Sequence, residues 1–456
     1  MVQVDVDNIA RGIRRLFQAG LFDVFGADVI NKVLTFLSGI IIVRIIPQEA
    51  YGTYAYAFNI VNIILLFNGL GTASAILQFA SEHAFEKRKV AVERAGVRVG
   101  LFFDGLVAIV MFILPLIVDL PLSGSEEMVR CWCIYPCLQL IYDIQLVSLR
   151  SSLKNREYAI CTNLNTVFIL IGSVAGALFG GAYGLIFGRI VAMVASVALI
   201  AVLFKVPECF FEILRLRRFE LGVQFNAEGH PVLTRSEKHS FLGISITTAI
   251  NSGINQLVYY LGTAIIGVLT SNAFDIAIFQ TTLAIPTALN FIPSTLAIFV
   301  YPYFARHKDE PKWVMRRYRQ LMIAVIPLAA IVSMGIIVFS PWIIFTLYGD
   351  AYVSGASILR ILMIGWFFSA SFRTIASNLL ITQRKLAYGI LVASGSALLT
   401  IILNWRLVPA FGIVGAAWAQ VLVYVVSGFA YSAYFLLSVL GKIRQNSEKV
   451  DSECPR

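Results

Sequence analysis

Long apolar runs, separated by short polar or basic turns, follow one another along the chain from residue 27 to residue 440. A helix needs about 20 apolar residues to cross the hydrocarbon of a bilayer. The runs predict about twelve transmembrane helices, near 27–46, 53–77, 99–119, 130–150, 158–180, 182–204, 241–268, 274–303, 321–348, 355–382, 388–409 and 412–440. Little chain is left outside the lipid, so function is expected among the helices. Residues 1–26 are mixed polar, with Asp5, Asp7, Arg11, Arg14 and Arg15 and no uninterrupted apolar core, which argues against a cleavable signal peptide.

Two segments have an amphipathic pattern instead. Residues 8–22 set Ile9, Ile13, Leu16 and Phe17 on one helical face against Arg11, Arg14 and Arg15. Residues 205–221 mix Phe210, Phe211, Leu214 and Phe219 with Arg215, Arg217 and Arg218. Both are expected to lie on the headgroups. The second divides the chain into an N-terminal six-helix lobe at 1–204, a basic cytoplasmic connector at 205–240 and a C-terminal lobe with a short tail at 241–456.

Composition agrees with an all-α integral membrane protein: 58% of residues are hydrophobic, 14% are charged and mean hydropathy is +0.80. The formal net charge of +10 would suit a nucleic-acid partner, but its distribution excludes one. Of 36 Lys and Arg, 29 fall in turns assigned to one side, four (Arg44, Arg130, Arg360, Arg406) at the opposite ends of spans and three (Lys32, Arg189, Arg373) within spans. This is the positive-inside pattern, with both termini in the cytoplasm and the basic turns attracted to anionic membrane lipids.

The two groups of six spans are weakly self-similar. Leu178 to Arg189, LFGGAYGLIFGR, pairs with Ala410 to Gln420, AFGIVGAAWAQ, each with Phe-Gly at the bend and with Gly184 answering Gly415 one residue out of step. Six spans per half put the expected symmetry axis along the membrane normal and the substrate between two lobes. Gly172, Gly176 and Gly180, continuing in Gly184 and Gly188, form a small-residue ridge suited to close helix packing. Pro286, Pro293 and Pro302 interrupt one long span, as a bending gate or as a tolerated irregularity.

The stretch Leu37 to Gln78 carries Arg44, then Pro47, Glu49, Tyr51 and Gly52, then Gly69 and Gly71 with small residues before a basic loop. Tyr348 to Gly415 carries Tyr348-Gly349-Asp350, Lys385, Pro409, Gly412 and Gly415. Both resemble polysaccharide transporters, the lipid-linked oligosaccharide flippase family within the multidrug, oligosaccharidyl-lipid and polysaccharide exporter superfamily. The resemblance implies a V-shaped pair of six-helix lobes in the cytoplasmic (inner) membrane. It also implies alternating access that moves polyprenyl-pyrophosphate-linked sugar units to the outer leaflet, alongside enzymes of the same pathway. A polar, cationic cavity would offset the penalty of bringing a hydrated sugar and a pyrophosphate into hydrocarbon. The competing reading is a cation-coupled exporter of small molecules on the same fold.

Charged residues inside lipid are expensive and mark candidate sites. Lys32, Asp104 and Asp143 fall at similar depth in the first lobe and are expected to pair, as a fixed salt bridge or as a switch that binds H+ or Na+. Arg189 and Arg373 suit an anion through the planar guanidinium fork, with Arg373 the first choice, whereas Arg44 and Arg360 are expected to snorkel. Asn251, Asn255 and Tyr259 form a polar stripe at four-residue spacing. Asn62, Asn165, Gln280, Asn290 and Asn378 add amides, and Tyr54, Tyr260 and Trp366 are candidates for stacking on sugar rings.

Other chemistries lack their residues. Cys131, Cys133 and Cys137 do not have the paired spacing of a zinc site, and no G-x-x-x-x-G-K-[ST] loop occurs for ATP, so neither a metal nor a nucleotide cofactor is expected. A membrane enzyme would want carboxylates in sizeable outer loops. The longest outer connection, near 119–130, offers Asp119, Glu126 and Glu127.

Overall fold

The protein is described here by a computed structural model, covering residues 21–82, 89–204, 234–383 and 385–453. Residues 8–20 and 205–221, nearly all of the two amphipathic segments, lie outside the described residues; Leu21 and Phe22 open the first helix.

 The described residues form helices joined by short turns, bends and loops.

The helices follow the apolar runs. They are α1 (Leu21–Ile45), α2 (Gln48–Leu65), α3 (Thr72–Ser81), α4 (Lys89–Ile117), α5 (Ser125–Cys131), α6 (Tyr135–Ser151) and α7 (Asn155–Phe204). After the connector come α8 (Arg235–Thr270), α9 (Ala273–Leu289), α10 (Phe291–Arg306), α11 (Pro311–Tyr348), α12 (Ala356–Phe368), α13 (Thr374–Thr382) and α14 (Leu386–Glu453). Among the described residues, seven helices are long and apolar enough to cross a membrane, or eight if the bent pair Ser236–Ile254 and Gln256–Thr270 is one span.

That number is below twelve for local reasons. Helix α7 has 50 residues and α14 has 68, about 75 and 100 Å if straight, far more than the roughly 30 Å of hydrocarbon. Each reverses at a glycine: Gly181 (φ 57°, ψ −137°) in α7 and Gly412 (φ 58°, ψ −143°) in α14. A side chain is strained in that backbone region, which glycine enters freely. The fourth run is broken between α5 and α6, leaving pieces of 7 and 17 residues. Helix α1 carries Asp28, Lys32 and Arg44.

Both reversals are closed in the same way. A Cβ on Gly184, three residues after Gly181, would overlap the carbonyl of Gly176, and one on Gly415, three residues after Gly412, would overlap the carbonyl of Leu407. Aligned on the positive-φ glycine, the repeats are in register, and the one-residue offset of the Phe-Gly pairing disappears. The ridge expectation holds in part: Gly172 meets Gly188 and Gly176 meets Gly184 backbone to backbone, while Gly180 has open space beside it.

By packing, the chain forms two compact units, Met1–Ile46 with Ile60–Gly253, and Pro47–Asn59 with Ile254–Arg456. The division therefore passes inside α2 and inside α8. Residues 47–59 join the second unit because Gly52 lies against the backbone of Ala273, Gly267 lies against the Tyr56 ring, and Asn59 Nδ2 donates to the Tyr260 carbonyl at 2.9 Å. In the first unit, α1 runs along α7, while α3, α4 and α6 close around a core that includes Ile76, Phe79, Leu140, Ile144 and Phe241. In the second, Phe304, Tyr318, Ile375, Leu379, Tyr431 and Phe435 join α10, α11, α13 and α14.

Pro286 and Pro293 flank the break between α9 and α10 at Asn290, whereas Pro302 lies inside α10. Proline removes a backbone donor, so a helix interrupted here loses little by breaking. The second span of each half is thus discontinuous, at Asn68–Gly71 and at Asn290.

Candidate functional site

Two clusters of intramembrane polar groups stand out, one in each unit. The first forms where α2 gives way to α3. Gly69, Leu70 and Gly71 are all left-handed (φ 55°, 52° and 74°), which interrupts the helix at this point. Asp104, in the middle of α4 and 0% exposed, accepts from Gly69 N at 2.8 Å. Asp143, in α6, accepts from Gln139 Nε2 at 3.0 Å.

The amide of Asn68 lies between the two carboxylates. In one orientation its Nδ2 donates to Asp143 Oδ2 at 3.3 Å. Rotated by half a turn it satisfies more groups, donating to Asp104 Oδ2 at 3.1 Å and to the Pro136 carbonyl at 3.0 Å while accepting from Leu140 N at 3.3 Å. The amide oxygen then faces Asp143, a contact that is favourable only when Asp143 carries a proton. Neither carboxylate makes an ion pair among the described residues.

Lys32 does not join them. Its Nζ pairs with Asp28 Oδ2 at 3.0 Å, one turn back on α1, with both side chains partly exposed. Residues four apart on a helix are neighbours, so the local acid captures the lysine. This corrects the expected Lys32–Asp104–Asp143 pairing.

The second cluster is built on a π-helical turn, Ser369–Arg373, between α12 and α13. Such a bulge adds a residue to the turn and recurs at functional positions. Arg373 is 8% exposed. Its Nη1 donates to the Tyr259 hydroxyl at 3.0 Å, and the guanidinium carbon lies 5.5 Å from the Tyr259 ring centroid and 5.3 Å from that of Tyr424. Its Nε has no hydrogen-bond partner, and no carboxylate among the described residues pairs with it. Tyr259 itself is 40% exposed. A buried cation with unused donors, bordered by π faces, can take an anion through paired charge-assisted hydrogen bonds.

The remaining expectations divide. Arg189 is half-buried on the second arm of α7, in the other unit from Arg373. Asn251 and Asn255 lie on α8, one to either side of the unit division, and their side chains lie outside the described residues. Arg360 does not snorkel freely, since its Nε donates to Ser340 Oγ at 2.8 Å. Tyr54 and Trp366 are buried in helix packing, at 5% and 2% exposure, so neither presents a face to a sugar. Gln280 bonds Thr263 Oγ1 and Asn378 bonds the Thr374 carbonyl, the interhelical and local roles that amides take in lipid.

Asn68 and Tyr424 were missed by sequence reasoning. The Asn-Gly-Leu-Gly turn signal at 68–71 was readable as a helix break. Nothing in the sequence separates Tyr424 from the other 17 tyrosines. Among the described residues no group of three or more His, Cys, Asp or Glu is arranged to hold a metal ion.

A family model described as polysaccharide biosynthesis protein matches residues 41–357. The chain belongs to that family. No curated protein sequence matches. Among solved structures, the fold matches the lipid II flippase MurJ in an inward closed conformation, with 14% identity over 94% of this chain and 92% of that one and a TM-score of 0.67. A transporter of the MOP superfamily from Pyrococcus furiosus matches at 13% identity over 93% and 96% of the chains, with a TM-score of 0.63. A MATE in complex with MaL6 matches at 14% identity over 93% and 95%, with a TM-score of 0.61. This family member therefore shares the fold of these membrane proteins along nearly its whole length.

Proposed function

We propose that this family member is a flippase that moves polyprenyl-pyrophosphate-linked oligosaccharide or polysaccharide repeat units across the cytoplasmic membrane by alternating access. The observation that carries this reading is Arg373, a buried guanidinium with open donor capacity and no carboxylate partner among the described residues. An arginine held that way would attract a pyrophosphate more than a cationic drug. Tyr259 positions it. Twelve spans follow when the two arms of α7 and of α14 are each taken as a span and the α1 and α5–α6 runs are added.

Asp104 and Asp143 form the coupling site in this proposal. A single amide cannot donate to both carboxylates through one N–H face, so a proton on Asp143 selects the orientation of Asn68 that serves Asp104. H+ is favoured over Na+ because the oxygens here are already engaged by N–H donors, whereas a sodium ion needs several free oxygens.

The test is deletion of the gene in a host without a redundant transporter, with lipid-linked units assayed on each leaflet. Accumulation on the cytoplasmic leaflet, relieved by wild type and not by Arg373→Glu, is expected. Normal surface glycan without accumulation would replace this reading with a small-molecule exporter.

A further inference from the structure

The turn between α10 and α11 has an ordered aromatic base that the positive-inside rule does not require. The His307 ring stacks on Trp313 at 4.1 Å and 13°, and Trp313 meets Phe304 edge-on at 5.6 Å, with Phe304 anchored in the core of the second unit. The Arg317 guanidinium lies 5.7 Å from the Trp313 ring centroid and also donates to Gln320 Oε1 at 3.0 Å. Lys442, far along α14, ties the turn down by donating to the Lys308 carbonyl at 3.4 Å and to Gln383 Oε1 at 2.6 Å.

Around this base Lys312, Arg316 and Arg319 are exposed and make no ion pair among the described residues. Their spacing puts them on one face of α11. The apolar run of α11 begins at Leu321, so residues 311–320 rise about 15 Å beyond it, enough to reach through the headgroup zone. The same side continues downward as Ile323, Ala330, Met334 and Val338, all exposed. Cations at headgroup level above an uninterrupted aliphatic face match an amphipathic ligand lying along the helix. A free phosphate would use only the upper part.

We infer that this face of α11, with the His307–Trp313 stack beside it, binds an anionic phospholipid of the inner leaflet. The lipid phosphate and its charged headgroup meet Lys312, Arg316 and Arg319, and an acyl chain runs along Ile323 and Met334. Attraction of basic clusters to anionic lipid is general; what is specific here is a seat with fixed aromatic and cationic neighbours. The site does not depend on the transport reading.

Trp313 makes the test direct. Purified protein is reconstituted in phosphatidylcholine containing a minor fraction of brominated phosphatidylglycerol or brominated phosphatidylcholine. The Trp313 signal is taken as the fluorescence difference between wild type and Trp313→Phe. Several-fold stronger quenching of that signal by the brominated phosphatidylglycerol is expected, and the triple change Lys312→Gln, Arg316→Gln, Arg319→Gln removes the preference without lowering the melting temperature. Equal quenching by both lipids, or a preference that survives the triple change, overturns the inference. So does loss of the preference in millimolar inorganic pyrophosphate but not in sodium chloride of the same ionic strength, which would mark a site for free anions.

Discussion

Arg373 donates to the hydroxyl of Tyr259 at 3.0 Å across 114 residues of sequence, and the same guanidinium borders the ring of Tyr424. Tyrosine offers partial negative charge without neutralising the cation, so the arginine is held in place and its charge remains available. Arg373→Lys keeps the charge but loses the planar fork, and about a tenfold or greater loss of transport is expected from a charged hydrogen bond. Tyr259→Phe removes only the hydroxyl and should cost about fivefold. Initial flipping rates in proteoliposomes check both, and an Arg373→Lys protein at wild-type rate would remove the anion contact.

Asp143→Asn imitates the protonated acid and fixes the arrangement in which Asn68 serves Asp104. Transport should continue at a reduced rate and lose its response to an imposed pH gradient, while Asp104→Asn, which cannot accept from Gly69 and Asn68 as a carboxylate does, should stop it. Rates with and without the gradient decide the matter. A gradient response that persists in Asp143→Asn would rule out this coupling site.

Gly176→Ala should lower stability by about 1–3 kcal/mol, the range for forcing extra volume into a packed contact, because the added Cβ meets the backbone of Gly184. Gly180→Ala, with nothing within 4 Å of its Cβ, should leave the detergent melting temperature nearly unchanged. Equal melting temperatures for the two variants would show that the arms of α7 are not held at this distance.

Gly181→Ala and Gly412→Ala test the repeat. Neither Cβ would meet an atom within 4 Å, so any loss comes from the backbone conformation alone, about 1–3 kcal/mol each. The two losses should be similar, and they should add because the sites lie in different units and share no partner. A large difference between the single variants would break the equivalence of the two hairpins.

Much of the helix layout was legible because bilayer thickness fixes the length of an apolar run. The reversals at Gly181 and Gly412 were readable for a local reason as well, since Phe-Gly interrupts an otherwise continuous apolar pattern. Lys32 was read wrongly because apolar spacing hides a competitor four residues away, Asp28, which reaches it first. Trp366 and Tyr54 stayed open between packing and stacking on a sugar because an aromatic inside a span looks the same in sequence whether it packs or protrudes.

The amino-acid sequence by itself determined that this is a polytopic helical membrane protein, where its long apolar stretches lie, and that the two halves are weakly self-similar. These follow from hydrophobicity and chain length, which are local properties. Only the tertiary structure decided that Asn68 stands between Asp104 and Asp143, that Tyr259 and Tyr424 border Arg373, and that residues 47–59 pack with the second unit. Those contacts join residues from 36 to 221 positions apart, where the rotation of each helix about its axis, set by packing against its neighbours, chooses which side chains meet.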